Sequence, residues 1–351
     1  MKKNIFAFLT LAAMVFGAVG SGFAQTKESK KARSMNELLA LLPASEAAMA
    51  IDAKRLFGEA LPQVLSGNQP LLTEILSKFN EIKSRSGIDY KQFHQVAIGI
   101  SSIKTAGTGS GYDFETLVLA RGQFNSAGLM TAAKTVAGGK FREEKIGERT
   151  VYVFSPQDAI EQNKGKINSS KFADIFTRIF AGLNKEMALT SYDNNTLVIG
   201  SLARVRELFE TKTRIGAEVL GLVSRKPNAI ANFGALLPTG LTPFMELEDD
   251  NLGKSLAGIR QLSGAMDITG GNTVVSIAVK TAEPEQAKGL KDTIEGFQAF
   301  LPGVLKGSKG EDKKVYARML ENARVAQNAN EVTLDLQVPQ SDLNVIIGEK
   351  K

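Results

Sequence analysis

Met187-Ala188-Leu189-Thr190-Ser191-Tyr192-Asp193-Asn194-Asn195-Thr196-Leu197-Val198-Ile199-Gly200-Ser201 reads as two short strands around a tight turn. Asparagine tolerates the left-handed backbone that such a turn demands, so Asp193-Asn194-Asn195 marks the reversal. Ser201 then stands where a helix N-cap is wanted, and the run to Glu210 continues as a helix. A hairpin followed by a helix is the unit from which the rest of the chain is read.

The same order recurs on both sides of it. Downstream, Ala265 to Ile268 and Thr273 to Lys280 are joined through Gly270-Gly271-Asn272, and a helix begins at Pro284 with Ala287, Leu290, Ile294, Phe297 and Leu301 on its inner face. Upstream, the strand-like runs Gln95 to Ser101 and Thr116 to Arg121 precede a helix capped at Asn125-Ser126 and reaching Val136. Lys140 to Phe154 reads as an additional hairpin. Near the start, Asn36 to Leu42 predicts a short helix stopped by Pro43, and Ala47 to Ile51 a strand of small residues. A helix follows over Ala53 to Leu65, then a second with Leu71, Leu72, Ile75, Leu76, Phe79 and Ile82 on one face and Gly87 at its end. In Glu331 to Val338, apolar Val332, Leu334, Leu336 and Val338 alternate with polar residues, the mark of a strand with one wet face.

Hairpins interleaved with amphipathic helices do not close a parallel doubly wound sheet. They predict the α+β class, with antiparallel sheets and helices laid over one face. The returning unit suggests internal duplication into two related lobes, residues 36–226 and 227–348, with a seam at Arg225-Lys226-Pro227-Asn228. Leu236-Leu237-Pro238 beyond the seam echoes Leu41-Leu42-Pro43.

The N-terminus carries an address. Met1-Lys2-Lys3-Asn4 is basic, Ile5 to Val19 holds no charge, and Gly22-Phe23-Ala24 presents small residues at the positions a signal peptidase reads. The uncharged run is shorter than the ~20 residues that span a bilayer. Residues 1–24 are therefore expected to be a signal peptide cut between Ala24 and Gln25, which places the mature chain outside the cytoplasm, in the periplasm or secreted. Residues 25–35, with Lys27, Lys30, Lys31 and Arg33, predict a flexible basic leader.

Composition then removes whole classes of function. Of the 351 residues, 43% are hydrophobic and 23% charged, enough for a buried core, and no later segment approaches membrane-spanning length. The cysteine count of zero excludes disulfides, thiol chemistry and lipid attachment through a thiol. The formal charge of +6, less the two signal lysines, leaves +4 spread among mixed acids and bases. Dispersed basic residues and the lack of tryptophan speak against nucleic-acid binding.

The search for chemistry is mostly negative. His94 is the lone histidine; a triad or a histidine-rich metal site needs an imidazole held near other specific groups, and one histidine on the approach to a strand supplies at most a single candidate. Ser101-Ser102-Ile103-Lys104 has the spacing of the penicillin-recognising enzymes but leaves a strand and enters a glycine loop instead of opening a helix. Ser191-Tyr192-Asp193-Asn194, near to the second motif of those enzymes, sits in a hairpin turn. Gly107-Thr108-Gly109-Ser110-Gly111 lacks the Gly-Lys-Ser/Thr ending of a phosphate loop. Glu246, Glu248, Asp249 and Asp250 fit no calcium loop and suit the N-terminus of the helix that follows. No catalytic, cofactor-binding or metal-ligating residue is assigned, and no cofactor is implied.

Ser86 to Asp89, Leu119-Ala120-Arg121-Gly122-Gln123-Phe124, Leu197 to Ser201 and Val338-Pro339-Gln340-Ser341-Asp342-Leu343, in that order, resemble uncharacterised exported bacterial proteins classed as domains of unknown function. The resemblance implies export and a repeated α+β body and carries no activity or site residues with it. Three functions follow as expectations: a non-catalytic envelope protein that binds an unknown protein or envelope component; a carrier of an apolar ligand or lipid; and a hydrolase built on carboxylates or on Ser101 and Lys104.

Overall fold

A computed structural model describes residues 30–87, 89–104, 112–136, 140–155, 186–237, 251–307 and 309–347. The signal-like segment, the leader before Lys30, the Gly107–Gly111 loop and the 246–250 carboxylates lie outside them. The described residues form an α+β protein around one antiparallel sheet of twelve strands.

In chain order the strands are β1 (Ala47–Asp52), β2 (Phe93–Lys104), β3 (Tyr112–Gly122), β4 (Arg142–Ile146), β5 (Arg149–Phe154), β6 (Met187–Asp193), β7 (Thr196–Ser201), β8 (Ala231–Leu236), β9 (Ile259–Thr269), β10 (Asn272–Thr281), β11 (Arg324–Asn328) and β12 (Glu331–Pro339). Across the sheet they run β11-β12-β10-β9-β8-β1-β2-β3-β7-β6-β5-β4. Outward from the central β1–β8 pair the two sides follow one plan: β1-β2-β3 then β7-β6, and β8-β9-β10 then β12-β11. The β4–β5 hairpin extends one end only. Asp52 N–H donates to Ile230 O at 2.7 Å and Leu236 N–H to Glu46 O at 2.7 Å, closing both ends of the central seam.

The turns form where their residues permit. Gly270 and Gly271 hold φ of +58° and +80° in the β9–β10 reversal, and the Asp193 carboxylate accepts from Asn195 N–H in the β6–β7 turn.

Among the described residues the helices are α1 (Lys30–Leu39), α2 (Ala53–Arg55, a π-helical turn Leu56–Ala60, then Leu61–Val64), α3 (Gln69–Ser86), α4 (Ser126–Val136), α5 (Leu202–Glu210), α6 (Ala217–Val223), α7 (Asn251–Ala257), α8 (Pro284–Gly307), α9 (Glu311–Asn322) and α10 (Gln340–Ile347). Their ends are capped as the side chains allow. Asn68 accepts from Leu71 N–H at the start of α3, Gly87 at φ +71° ends it, and Ser201 accepts from Arg204 N–H at the start of α5.

The first helix begins at Lys30, inside the stretch read from the sequence as a flexible leader. Leu38 and Leu39 explain the docking: both are fully buried in the main core, with Met35 packed against it. That core seats α1, α5 and α6 on one face of the sheet, through Val205, Leu208, Val219 and Val223 against Ala50, Ala97, Leu119 and Val198. Arg204, almost wholly buried, ties α5 to the entry of β1 by donating to Ala44 O at 2.8 Å and Ser45 Oγ at 2.7 Å. On the opposite face α2 packs over β8–β10, while α8, α9 and α10 pack over β10–β12.

Candidate functional site

Strand register decides which side chains share a row. Followed from partner to partner, one row crosses the whole sheet: Val325, Leu334, Ile277, Gly264, Phe233, Met49, Ile98, Val118, Ile199, Leu189, Tyr152 and Glu143. At about 4.8 Å per strand, the apolar part from Val325 to Tyr152 is roughly 45–50 Å long. Apart from Gly264, each of its side chains is half-buried.

The opposite face behaves differently. Ala50, Ala97, Leu119 and Val198 occupy one such row there, and all four are buried beneath the α1, α5 and α6 helices. Val118 and Leu119 are neighbours on β3, yet Leu119 is fully buried and Val118 is not. On the half-covered face, α2 seals the adjacent row at Ala231, Met266 and Val275 with Leu56 and Ala60. The long row beside it is half-buried: Phe233 and Ile277 pack against that cluster and Val325 against Ala287 and Leu290 of α8, while Met49, Ile98, Val118, Ile199 and Leu189 belong to none of the core clusters among the described residues.

Gly264 sets the shape of the row at β9. A methyl group there would lie 2.3 Å from Phe233 Cε1 and 2.9 Å from Ser276 O, so only glycine lets the Phe233 ring lie over the strand.

At the β5 end, polar groups appear. The β5–β6 ladder holds only from Tyr152 to Phe154. Beyond it Thr190 Oγ1 donates to Thr150 O at 2.9 Å, and Arg149 Nη1 donates to Ser191 O and Tyr192 O at 3.0 and 2.9 Å. Arg149 also stacks over Phe209, 4.6 Å from the ring centre. Where the strands part, a cavity of about 370 Å³ opens beside α4, lined by Met130, Thr131, Thr150, Tyr152 and Ser191 among others. Lys145 Nζ donates to Thr150 Oγ1 at 2.7 Å. The row therefore ends, at Tyr152, in a small hydroxyl-lined chamber with an ammonium beside it.

Of the residues singled out for chemistry Ser191 lines the chamber, and the others among the described residues fall elsewhere. His94 occupies the irregularity at the start of β2, where the register shifts between Phe93 and Gln95. Ser101 lies within β2 opposite Glu115 of β3, on a strand and not at the head of a helix. Tyr192 stacks on Phe209, and Asp193 serves the hairpin turn. Among the described residues no three His, Asp or Glu side chains gather to hold a metal ion. None of the described helices is long and apolar enough to cross a membrane.

No family model matches the chain, and no curated protein does. Among solved structures it is similar to TP0453 in three crystal forms. Crystal form III gives 8% identity and a TM-score of 0.42 over 88% of this chain and 96% of that one. Form IV gives 8% and 0.42 over 92% and 100%, and form I gives 7% and 0.41 over 88% and 96%. Likeness at this level assigns no function to the chain.

The long row itself escaped the sequence reading. Alternation was read only in Glu331 to Val338, and the row joins residues from eleven strands that only the register assembles. Gly264 stands one residue before the run Ala265 to Ile268 read as a strand, which in the structure is the longer Ile259–Thr269.

Proposed function

We propose that the protein is an exported, non-catalytic binding protein whose ligand is an apolar chain laid along the half-covered row, with its polar end at the Tyr152 chamber. The observation that carries this reading is the contrast between the two faces: one row buried beneath helices, the other apolar and only half-buried, with its middle from Met49 to Leu189 outside the core clusters of the described residues. Burial of apolar surface is the main driving force of folding, so an apolar row left half-covered marks a binding surface. None of its side chains is among the exposed large apolar residues, which favours a slender occupant over the flat face of a globular partner, since the latter would need protruding side chains. The sheet edge at β4 favours the same reading, because Arg142, Glu143, Glu144 and Lys145 crowd it with charge and discourage the addition of a strand. Export rests on the N-terminal residues 1–24.

Titration with a fluorescent long-chain fatty acid tests the proposal. Saturable binding is expected, weakened at least fivefold by Ile98→Ser and little changed by Ser101→Ala. Binding that is absent, or indifferent to Ile98→Ser, removes the row as the site.

A further inference from the structure

Among the described residues, six large apolar side chains are exposed, and four of them, Phe297, Phe300, Val304 and Tyr316, lie on the α8–α9 hairpin. The sequence predicts Phe297 on the inner face of α8 with Ala287 and Leu290, but it is 49% exposed while those two are buried. The reason is geometric. Ala287 and Leu290 pack against Val332 and Val279, whereas the turns that carry Phe297 and Phe300 sit where α8 pairs with α9: Gln298 Nε2 donates to Leu320 O and Ala323 O at 2.8 and 2.6 Å, and Lys306 pairs with Glu321 at 2.6 Å. Ile294 still packs against that cluster, whereas Phe297 and Phe300 belong to none of the core clusters among the described residues. Phe300 is 69% exposed, more than any other large apolar residue described.

The occupant follows from charge and area. The tip of the hairpin carries Lys306, Lys309, Lys313 and Lys314 against Glu311 and Asp312. Lys306 and Lys314 are paired with carboxylates, whereas Lys309 and Lys313 are exposed with no carboxylate partner among the described residues. At ~200 Å² per aromatic side chain, the exposed parts of Phe297, Phe300 and Tyr316 amount to roughly 300 Å². That is well under the ~800 Å² per partner of a stable protein interface, which argues against a second copy of the chain. Exposed aromatic rings on a helical hairpin whose tip carries exposed lysines suit the headgroup boundary of an anionic bilayer.

We infer that the α8–α9 hairpin is a membrane-docking element that inserts Phe297 and Phe300 at the surface of an anionic lipid bilayer. It is independent of the ligand row, although docking there would present the protein to a source of apolar chains. The test is co-sedimentation with vesicles of phosphatidylglycerol mixed with phosphatidylethanolamine, compared with phosphatidylcholine alone. The full chain should bind the anionic vesicles, bind the zwitterionic ones at least fivefold more weakly, and lose affinity as salt is raised. The double variant F297S/F300S should keep its thermal unfolding midpoint and its fatty-acid binding while losing at least tenfold in vesicle affinity. Vesicle binding unchanged in that variant, or no binding by the parent chain, overturns the inference. So does a dimer, seen by analytical ultracentrifugation, that the double variant abolishes, since the patch would then serve a second copy.

Discussion

The asymmetry between the faces of the sheet can be read as a difference in stability between two adjacent residues. Leu119→Ala removes three carbons from a fully buried site, worth about 2.4 kcal/mol at ~0.8 kcal/mol per buried methylene. The cavity left between Ala50, Ala97 and Val198 brings the expected cost to about 3–4 kcal/mol. Val118→Ala removes two carbons from a half-buried site that opens no sealed cavity, and should cost about 1 kcal/mol or less. Urea unfolding of both variants, followed by circular dichroism, reads the gap of roughly 2–3 kcal/mol as a difference in midpoint, with the slopes unchanged. Equal losses would mean that Val118 is as well covered as Leu119, and the long row would then be ordinary core.

Three further outcomes follow from particular contacts. Arg204→Ala leaves Ala44 O and Ser45 Oγ without their buried donor and should cost about 2–4 kcal/mol in the same assay, whereas Arg206→Ala on the exposed side of α5 should cost less than about 1 kcal/mol. Gly264→Ala pushes against Phe233 and Ser276 O and should cost about 1–3 kcal/mol; it should also weaken fatty-acid binding, because the displaced ring belongs to the row. Asp89 is held below its ordinary pKa by hydrogen bonds from the Lys83 ammonium and then from Lys91 N–H. A carboxylate with a depressed folded pKa contributes stability that is present above its unfolded value near 3.9 and is lost as the pH falls through the folded value. Asp89→Asn should therefore lower the thermal midpoint slightly at neutral pH and not at all at the acid end, and a loss that persists undiminished into acid would refute the ion pair as its cause.

Local chemistry made much of the architecture legible. The hairpins at Asp193–Asn195 and Gly270–Asn272 are turns that few other residues would form, and Ser201, Asn68 and Gly87 sit where helix ends need them. On β12 the expected alternation holds only in part: Val332 and Val338 are buried and Gln337 is exposed, but Glu331, Thr333 and Asp335 are half-buried, as are Leu334 and Leu336. What could not be read was the joining of distant strands. Nothing in Ala47 to Ile51 announces that β1 lies between β8 and β2, because its small side chains suit any central position. Likewise β7 beside β3 depends on Leu117 to Arg121 meeting Thr196 to Gly200, a register without a local signature. Phe297 was misplaced for a related reason: helical spacing shows which residues share a stripe but not how far the surface beneath that stripe extends.

The central claim is that the half-covered row holds an apolar chain, and native mass spectrometry of the protein purified from its native cells, without detergent, addresses it most directly. The account predicts a population heavier than the bare polypeptide by the mass of a lipid or fatty acid, and its disappearance in Ile98→Ser. A single species at the polypeptide mass, with no extractable lipid, would contradict it.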